Sequence, residues 1–153
     1  MNALVEHYKI SQDWDSKTYC GLTLEWEHKA RKVHVSMPGY VQDALQWFKH
    51  YPLQRRQDQP YPHTPPEYGE KVQYEKGAYD SPLLAKEYKR FVQQVTGVFL
   101  FYARAVDCTM LTALSAKASE KATPTENTMK KCKQFLDFAA SQEEEMLTYN
   151  RHS

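Results

Sequence analysis

The sequence predicts an α+β fold, in which an N-terminal β-hairpin is joined by a proline-rich connector to a mainly helical C-terminal half. Two patterns support this prediction: apolar and polar residues alternate near the N-terminus, and apolar residues recur at helical spacing after residue 82. The chain has 153 residues, of which 41% are hydrophobic and 25% charged, as is typical of one compact globular unit. We predict three regions, which are residues 1–50, 51–82 and 83–153.

The hairpin is predicted from two alternating segments. Between residues 18 and 26 every second residue from Cys20 is apolar, which is the period-two pattern of a half-buried strand. The alternation returns over 33–37, and the polar residues 27–30 have the length of a hairpin loop. Before the hairpin, apolar residues at helical spacing over 4–8 predict the end of a helix that leads into an extended segment.

The middle of the chain predicts a short helix followed by the connector. Pro38 is well placed as the first residue of a helix that reaches about His50, with apolar residues recurring along one face. Residues 52–82 contain six of the eight prolines and have no sustained period. A structureless segment of this length is unusual inside a compact domain. We therefore expect it to wrap over a surface or to join two lobes.

Three helices and a strand are predicted in the C-terminal half. Ser81 and Pro82 resemble an N-cap followed by proline, and an apolar stripe then predicts a long helix over 83–105. Asp107 is placed to cap a second helix, and the segment 123–126 has the form of a capping box that opens a third. Residues 146–149 are a candidate strand.

Composition argues against several classes of site. Polar residues, including Arg104 and Asp107, interrupt the apolar run over 91–114, so no membrane span is predicted. The first residues lack the features of a signal peptide, which predicts a cytoplasmic or nuclear protein that is not secreted. The three cysteines and six histidines show neither a disulfide framework nor metal-ligand spacing. We predict no metal site and no cofactor.

Charge is unevenly distributed along the chain. The net charge is only +1, yet the segment from Lys86 to Lys133 has nine basic residues against four acidic ones. Such a basic helical segment is a modest electrostatic indication of a polyanionic partner. Solvated helix faces produce the same pattern, and we assign Lys130, Lys131 and Lys133 to solubility.

Two segments resemble the reverse transcriptases (RNA-directed DNA polymerases) of LTR retrotransposons of the copia and gypsy kind. Residues 19–26, YCGLTLEW, followed by VHVSMPGYV over 33–41, are similar to the segment after the catalytic palm motif. Residues 93–107, QQVTGVFLFYARAVD, are similar to the thumb and connection region, and the resemblance that these segments mark extends over most of residues 8–141. The resemblance implies a palm remnant within 1–50 and a thumb-like domain within 83–153.

The resemblance also implies that Tyr19, Cys20 and Gly21 form the primer grip, a turn that holds the terminal phosphates of the primer. A glycine lets the main chain approach a sugar-phosphate strand closely, and exposed amides can donate hydrogen bonds to phosphate. The residues alone leave an alternative open, in which Gly21 marks a bulge in an ordinary hairpin.

One face of the predicted long helix is a second candidate site. Gln93, Gly97 and Phe101 lie at i, i+4 and i+8 and so share a face. An amide, a residue without a side chain and an aromatic ring suit a shallow minor groove, and retroviral reverse transcriptases have a similar track on a thumb helix. The alternative is that Gly97 permits a tight helix crossing and that Phe101 belongs to the core.

Basic residues flank this candidate face. They are Lys86, Lys89, Arg90 and Arg104. We expect them to contact phosphates, which would give weak, salt-dependent binding to an RNA–DNA or DNA duplex. The alternative is an ordinary solvated face.

The resemblance implies that the chain itself is catalytically incomplete. Polymerases of this family use two adjacent palm aspartates to bind magnesium ions, and this sequence contains no Asp-Asp pair. We therefore predict no catalytic residue and no enzymatic activity in what we expect to be a fragment, whose missing partners are the palm and ribonuclease H domains of the parent polyprotein. The alternative function is a retained helical module for protein interaction or self-association, with Trp47, Phe48 and Tyr51 exposed.

Overall fold

The structure is a computed structural model that describes residues 14–51, 56–62, 69, 81–120, 122–142 and 144–151. Within these ranges the chain forms four strands and four α-helices, which confirms the predicted α+β class. The strands are β1 (Thr18–Tyr19), β2 (Leu22–Glu27), β3 (Lys32–Ser36) and β4 (Met146–Asn150). The helices are α1 (Tyr40–Trp47), α2 (Lys86–Ala105), α3 (Leu111–Glu120) and α4 (Glu126–Ser141). The helix end predicted over 4–8 lies outside the described residues.

The strands form one antiparallel sheet in the order β1-β2-β3-β4. Leu24 pairs with Val35, and Val35 pairs on its other side with Leu147. The hairpin prediction is thus confirmed, and so is the candidate strand at 146–149, which becomes β4. The apolar residues of neighbouring strands stand side by side, so one face of the sheet is mainly apolar.

The segment predicted as a single strand over 18–26 is divided by a turn. Tyr19 pairs with Leu22, and the two residues between them have positive φ, 50° at Cys20 and 83° at Gly21. Positive φ at both central residues is the signature of a type I′ hairpin turn. A turn of only two residues leaves the alternation of the sequence undisturbed, which is why the pattern concealed it. The bulge alternative for Gly21 is wrong.

Two predicted helix starts are corrected. Helix α1 begins at Tyr40 after Gly39, whose φ is 75°, and not at Pro38. Helix α2 begins at Lys86 with no side-chain cap, so the predicted cap at Ser81 and Pro82 is wrong. The preceding segment instead runs along the entry to α4, where the Leu84 N–H donates to the Pro124 carbonyl at 2.9 Å.

Local capping chemistry defines the other two helices. Asp107 accepts a hydrogen bond from the Thr109 N–H at 3.0 Å, as predicted, and opens a 3-10 turn that leads into α3. The capping box of α4 is formed by Thr125 and Thr128, two residues later than predicted. Thr128 replaces the expected glutamate because its hydroxyl accepts from the Thr125 N–H at 3.1 Å.

The core lies among the four helices. Fully buried side chains from α2, α3 and α4 meet there, with the Phe99 and Phe135 rings edge to face at 5.2 Å between centroids. Helix α1 adds Ala44 and Leu45, and Met37 continues the core towards the sheet. The sheet is therefore attached to the helical core near α1, while its far end is largely exposed.

The described part of the connector, residues 56–62, contains neither helix nor strand and lies along α4. The Gln57 N–H donates to the Ser141 hydroxyl at 3.0 Å, and the Gln134 amide donates to the Gln59 carbonyl at 3.2 Å. This part of the connector wraps over a surface of the helical core. The boundaries at 50 and 83 stay predictions.

Candidate nucleic-acid interface

Six of the predicted nucleic-acid-binding residues share one side of α2. At about 100° per residue they fall within an arc of about 80°. All six are exposed, whereas Val92, Val95 and Phe99 on another side of the helix are buried. The six residues, named here the exposed α2 face, are Lys86, Arg90, Gln93, Gly97, Phe101 and Arg104.

The middle of the exposed α2 face is open to solvent. A Cβ added at Gly97 would meet no atom within 4 Å, so this glycine does not serve a tight helix crossing. The Phe101 side chain is 46% exposed and does not belong to the core. The packing alternative for both residues is wrong. A glycine in an exposed helix interior costs stability relative to alanine, and nothing in the packing explains its presence.

The Phe101 ring is supported on one side by Tyr40 of α1. The two ring centroids are 6.2 Å apart, and the Tyr40 ring stacks on Tyr102 at 5.7 Å. The Tyr40 hydroxyl donates to the Val98 carbonyl at 3.0 Å, which fixes the start of α1 against α2. Tyr40 therefore contacts the Phe101 ring on one side, and the rest of the ring is exposed to solvent.

Lys89 lies outside the arc, although the sequence placed it with the other basic residues. Its ammonium donates to the Ala122 carbonyl at 2.5 Å and joins the start of α2 to the segment before α4. The side chain is half-buried. Sequence spacing alone does not reveal this contact, because it depends on how α2 and α4 pack.

Tyr19, Cys20 and Gly21 lie at the exposed tip of the β1–β2 turn. Nothing within 4 Å would obstruct a Cβ at Gly21, so the turn is accessible from outside. Among the described residues, no hydrogen bond or ring contact joins this turn to the exposed α2 face. The structure thus presents the predicted primer grip and the helix face as separate elements.

Two lysines of the basic segment are buried, so the solubility assignment of Lys131 is wrong. Lys117 and Lys131 are 1% and 2% exposed. The Lys131 ammonium donates to one Glu120 carboxylate oxygen at 2.9 Å, and the Thr128 hydroxyl donates to the other at 2.7 Å. This hydrogen-bonded ion pair compensates a charge that would be costly to bury alone.

Lys117 is buried without a carboxylate at hydrogen-bond distance among the described residues. Its ammonium lies 4.2 Å from the centroid of the Phe135 ring and 3.4 Å from the Ala113 carbonyl. Burial lowers the pKa of Lys117 to about 8 and raises the pKa of the neighbouring Cys132 thiol to about 11. One feature of the sequence indicated the burial of Lys117, because this residue follows the buried Leu114 at helical spacing.

Acidic residues lie near the C-terminal end of α2. The Glu144 carboxylate accepts from the Gly39 N–H at 2.6 Å. Burial raises the pKa of Tyr102, a hydrogen bond to the Glu145 backbone partly lowers it, and the charges of Asp107, Glu145 and Glu144 raise it. A polyanion is therefore attracted more strongly to the N-terminal part of the exposed α2 face, where Lys86 and Arg90 stand.

Among the described residues no group of three or more His, Cys, Asp or Glu side chains is arranged to hold a metal ion. Across the same ranges, no helix is both long enough and apolar enough to cross a membrane. No protein-family model, curated protein or solved structure matches the chain.

Proposed function

We propose that this chain is the duplex-holding part of an LTR-retrotransposon reverse transcriptase and binds an RNA–DNA or DNA duplex through the exposed α2 face. One observation carries the proposal: basic, amide, glycine and aromatic residues line the same solvent-exposed side of α2. A solvated helix face needs neither the unpacked Gly97 nor the exposed Phe101 ring. A ligand that approaches the backbone closely accounts for both.

The arrangement suits a minor groove bordered by two phosphate backbones. The Gln93 amide can donate to base acceptors in the groove, Gly97 allows close approach, and the Phe101 ring can contact sugars or bases. Lys86 and Arg104 are about 27 Å apart along the helix axis, a span of roughly eight base pairs. The basic ends therefore reach phosphates while the middle contacts the groove.

In this proposal the chain holds the duplex, polymerase chemistry belongs to the palm domain of the parent polyprotein, and nuclease chemistry belongs to its ribonuclease H domain. The sequence has no adjacent aspartates with which to bind the catalytic metal ions. The purified chain should therefore extend no primer in the presence of magnesium. Nucleotide incorporation in that assay would contradict this part of the proposal.

Binding is tested by fluorescence anisotropy with a labelled RNA–DNA hybrid across a salt titration. We expect weak binding at low salt, reduced about tenfold in the double variant Lys86→Ala, Arg90→Ala, with a salt slope smaller by up to two. Gln93→Ala and Phe101→Ala should each weaken binding without changing that slope.

A charge-matched control separates a defined face from general attraction. Lys130 and Lys133 are exposed on α4, so Lys130→Ala, Lys133→Ala removes the same charge from another surface. Affinity should change little in this control. Equal losses in the two double variants, or no binding by the unaltered chain at low salt, would overturn the proposal.

A second candidate function is protein interaction or self-association through an aromatic cluster at the end of α1. Trp47 and Tyr51 are 59% and 86% exposed, and the Phe48 ring lies 4.9 Å from that of Trp47. The expected exposure of Phe48 is wrong, because this side chain is half-buried and its ring lies 5.5 Å from that of Phe91. Exposed aromatic clusters commonly mark contact surfaces. Sedimentation of the Trp47→Ala variant tests this candidate, which is supported if association is lost and contradicted if the unaltered chain is monomeric.

A further inference from the structure

The outer edge of β4 is open to another strand. Strand β4 ends the sheet, and within the described residues only β3 pairs with it. Its five residues, MLTYN, include no charge and no proline. Natural proteins usually protect an exposed edge with lysine, proline or a bulge, because free N–H and C=O groups there recruit further strands.

The register determines which groups face outwards. The Arg151 N–H donates to the Arg31 carbonyl at 3.1 Å, so these two residues form a hydrogen-bonded pair. In an antiparallel ladder such pairs alternate with non-hydrogen-bonded ones. Tyr149, which pairs with Val33, and Leu147, which pairs with Val35, therefore also form backbone hydrogen bonds with β3. It follows that Met146, Thr148 and Asn150 direct their N–H and C=O groups to the open edge.

We infer that this edge pairs with the same edge of a second copy of the chain, antiparallel and around a two-fold axis at Thr148. In that register Thr148 exchanges both backbone hydrogen bonds with Thr148 of the second copy. Met146 does so with Asn150 of the second copy, and Asn150 with Met146. Every outward backbone group of β4 then has a partner, and the contact closes after two copies.

Charge complementarity favours this register and this partner. The residues that flank β4 are Glu145 and Arg151, both exposed and of opposite sign. Antiparallel pairing centred on Thr148 puts Glu145 opposite Arg151 of the second copy, and symmetry repeats the pair at the other end. A shift of two residues separates both charge pairs and shortens the ladder. The edge is thus complementary to itself.

The apolar face of the sheet is extended by the same pairing. Leu147 comes to lie opposite Tyr149 of the second copy, an aliphatic-aromatic cross-strand pair. Tyr149 stands in one row with Val33 and Trp26, and the Tyr149 and Trp26 side chains are 56% and 47% exposed. The second copy therefore covers part of an apolar surface that is exposed in the monomer.

Sedimentation equilibrium of the full chain over a wide concentration range tests the inference. We expect a reversible monomer–dimer equilibrium with a dissociation constant in the micromolar range or weaker, because a five-residue edge buries little area. Glu145→Arg and Arg151→Glu should each weaken the dimer about tenfold, since each puts like charges opposite one another. An equimolar mixture of the two variants should restore association, because both charge pairs are then complementary.

Thr148→Pro removes an outward N–H but no backbone hydrogen bond to β3, although the contact of the Thr148 hydroxyl with His34 is lost. It should abolish the dimer, while thermal unfolding and circular dichroism confirm the fold. If this variant fails to fold, the mixture of Glu145→Arg and Arg151→Glu decides. A chain that is monomeric throughout, a folded Thr148→Pro variant that still dimerises, or a mixture that does not associate overturns the inference. A dimer lost only on Trp47→Ala also overturns it, because association then belongs to the aromatic cluster.

Discussion

The helical core and the sheet are stabilised in different ways. In the helical core Phe99, Leu114 and Phe135 have no solvent-exposed surface. In the sheet, Val35 is the only strand residue within the described ranges that is buried. The helices are therefore stabilised mainly by burial of apolar area, and the sheet mainly by its backbone ladder and cross-strand pairs. Substitutions of the same kind should therefore have unequal effects in the two regions.

The largest expected loss of stability comes from truncating an aromatic side chain in the helical core, and it is measured against the same kind of truncation in the sheet. Phe135→Ala should lower the free energy of unfolding by about 3–5 kcal/mol, because it leaves a cavity against Phe99. Trp26→Ala, in the half-exposed sheet, should cost clearly less, since much of its ring is already in contact with water. Urea denaturation of both variants measures the difference. Equal losses would remove the distinction between the two regions.

Lys117 allows a stabilising change within the helical core. Its pKa is lowered from 10.5 in the unfolded chain to about 8 by burial, so below pH 8 the folded chain holds a disfavoured charge. Lys117→Met should stabilise the protein at neutral pH by an amount on the order of 2–3 kcal/mol. Thermal and urea unfolding at pH 7 measure the gain.

The pH dependence of that gain has a definite sign. Between about pH 8 and 10.5 the unfolded chain binds the Lys117 proton more tightly than the folded chain, so the contribution of Lys117 to stability rises with pH in this window. The raised pKa of Cys132 acts in the opposite direction, but it does so in the unaltered protein and in the variant alike. The advantage of Lys117→Met should therefore shrink across the same window. Lys130→Met, at an exposed position of α4, is the control and should show no such trend. A pH-independent gain at position 117 would contradict the assigned cause.

A smaller effect is expected where α1 meets α4. His50 Nε2 and Asp137 Oδ1 lie 2.8 Å apart, and both side chains are largely buried. His50→Ala should cost about 1–3 kcal/mol, because the Asp137 carboxylate then loses its partner. Arg56→Ala breaks an exposed ion pair with Asp58 and should cost roughly 0–1 kcal/mol. Chemical denaturation that ranked the two variants in the opposite order would refute the argument from burial.

A small stabilising change at Gly97 separates the effect on folding from the effect on binding. Gly97→Ala fills open space on the exposed α2 face and should stabilise the protein by about 0.5–1 kcal/mol. The same methyl group stands where a duplex would approach, so duplex affinity should fall. Unfolding and anisotropy measurements on one preparation test both expectations. Gly21→Ala is the contrasting control, since its φ of 83° makes alanine destabilising there.

Most features set by neighbouring residues were predictable from the sequence, whereas features set by packing were not. The long helix and the Asp107 cap were predicted because their signals lie within a few residues. The turn at Cys20 and Gly21 was concealed by unbroken alternation, and the burial of Lys117 contradicts the usual exposure of lysine. The same distinction applies to the candidate site. Helical spacing predicted that Gln93, Gly97 and Phe101 share a face, but the contact of Lys89 with Ala122 could be seen only in the folded structure.

The pairing of β4 with β3 also affects how the chain is made. His34 Nδ1 and Thr148 Oγ1 lie 2.8 Å apart across this pair, yet the residues are 114 positions apart in sequence. At roughly 5–20 residues per second, a ribosome needs roughly 6–23 s to synthesise that interval. During this time the helices emerge and fold, and the edge of β3 that will pair with β4 has no partner strand. A nascent chain is therefore open to intermolecular strand pairing on β3 until β4 arrives.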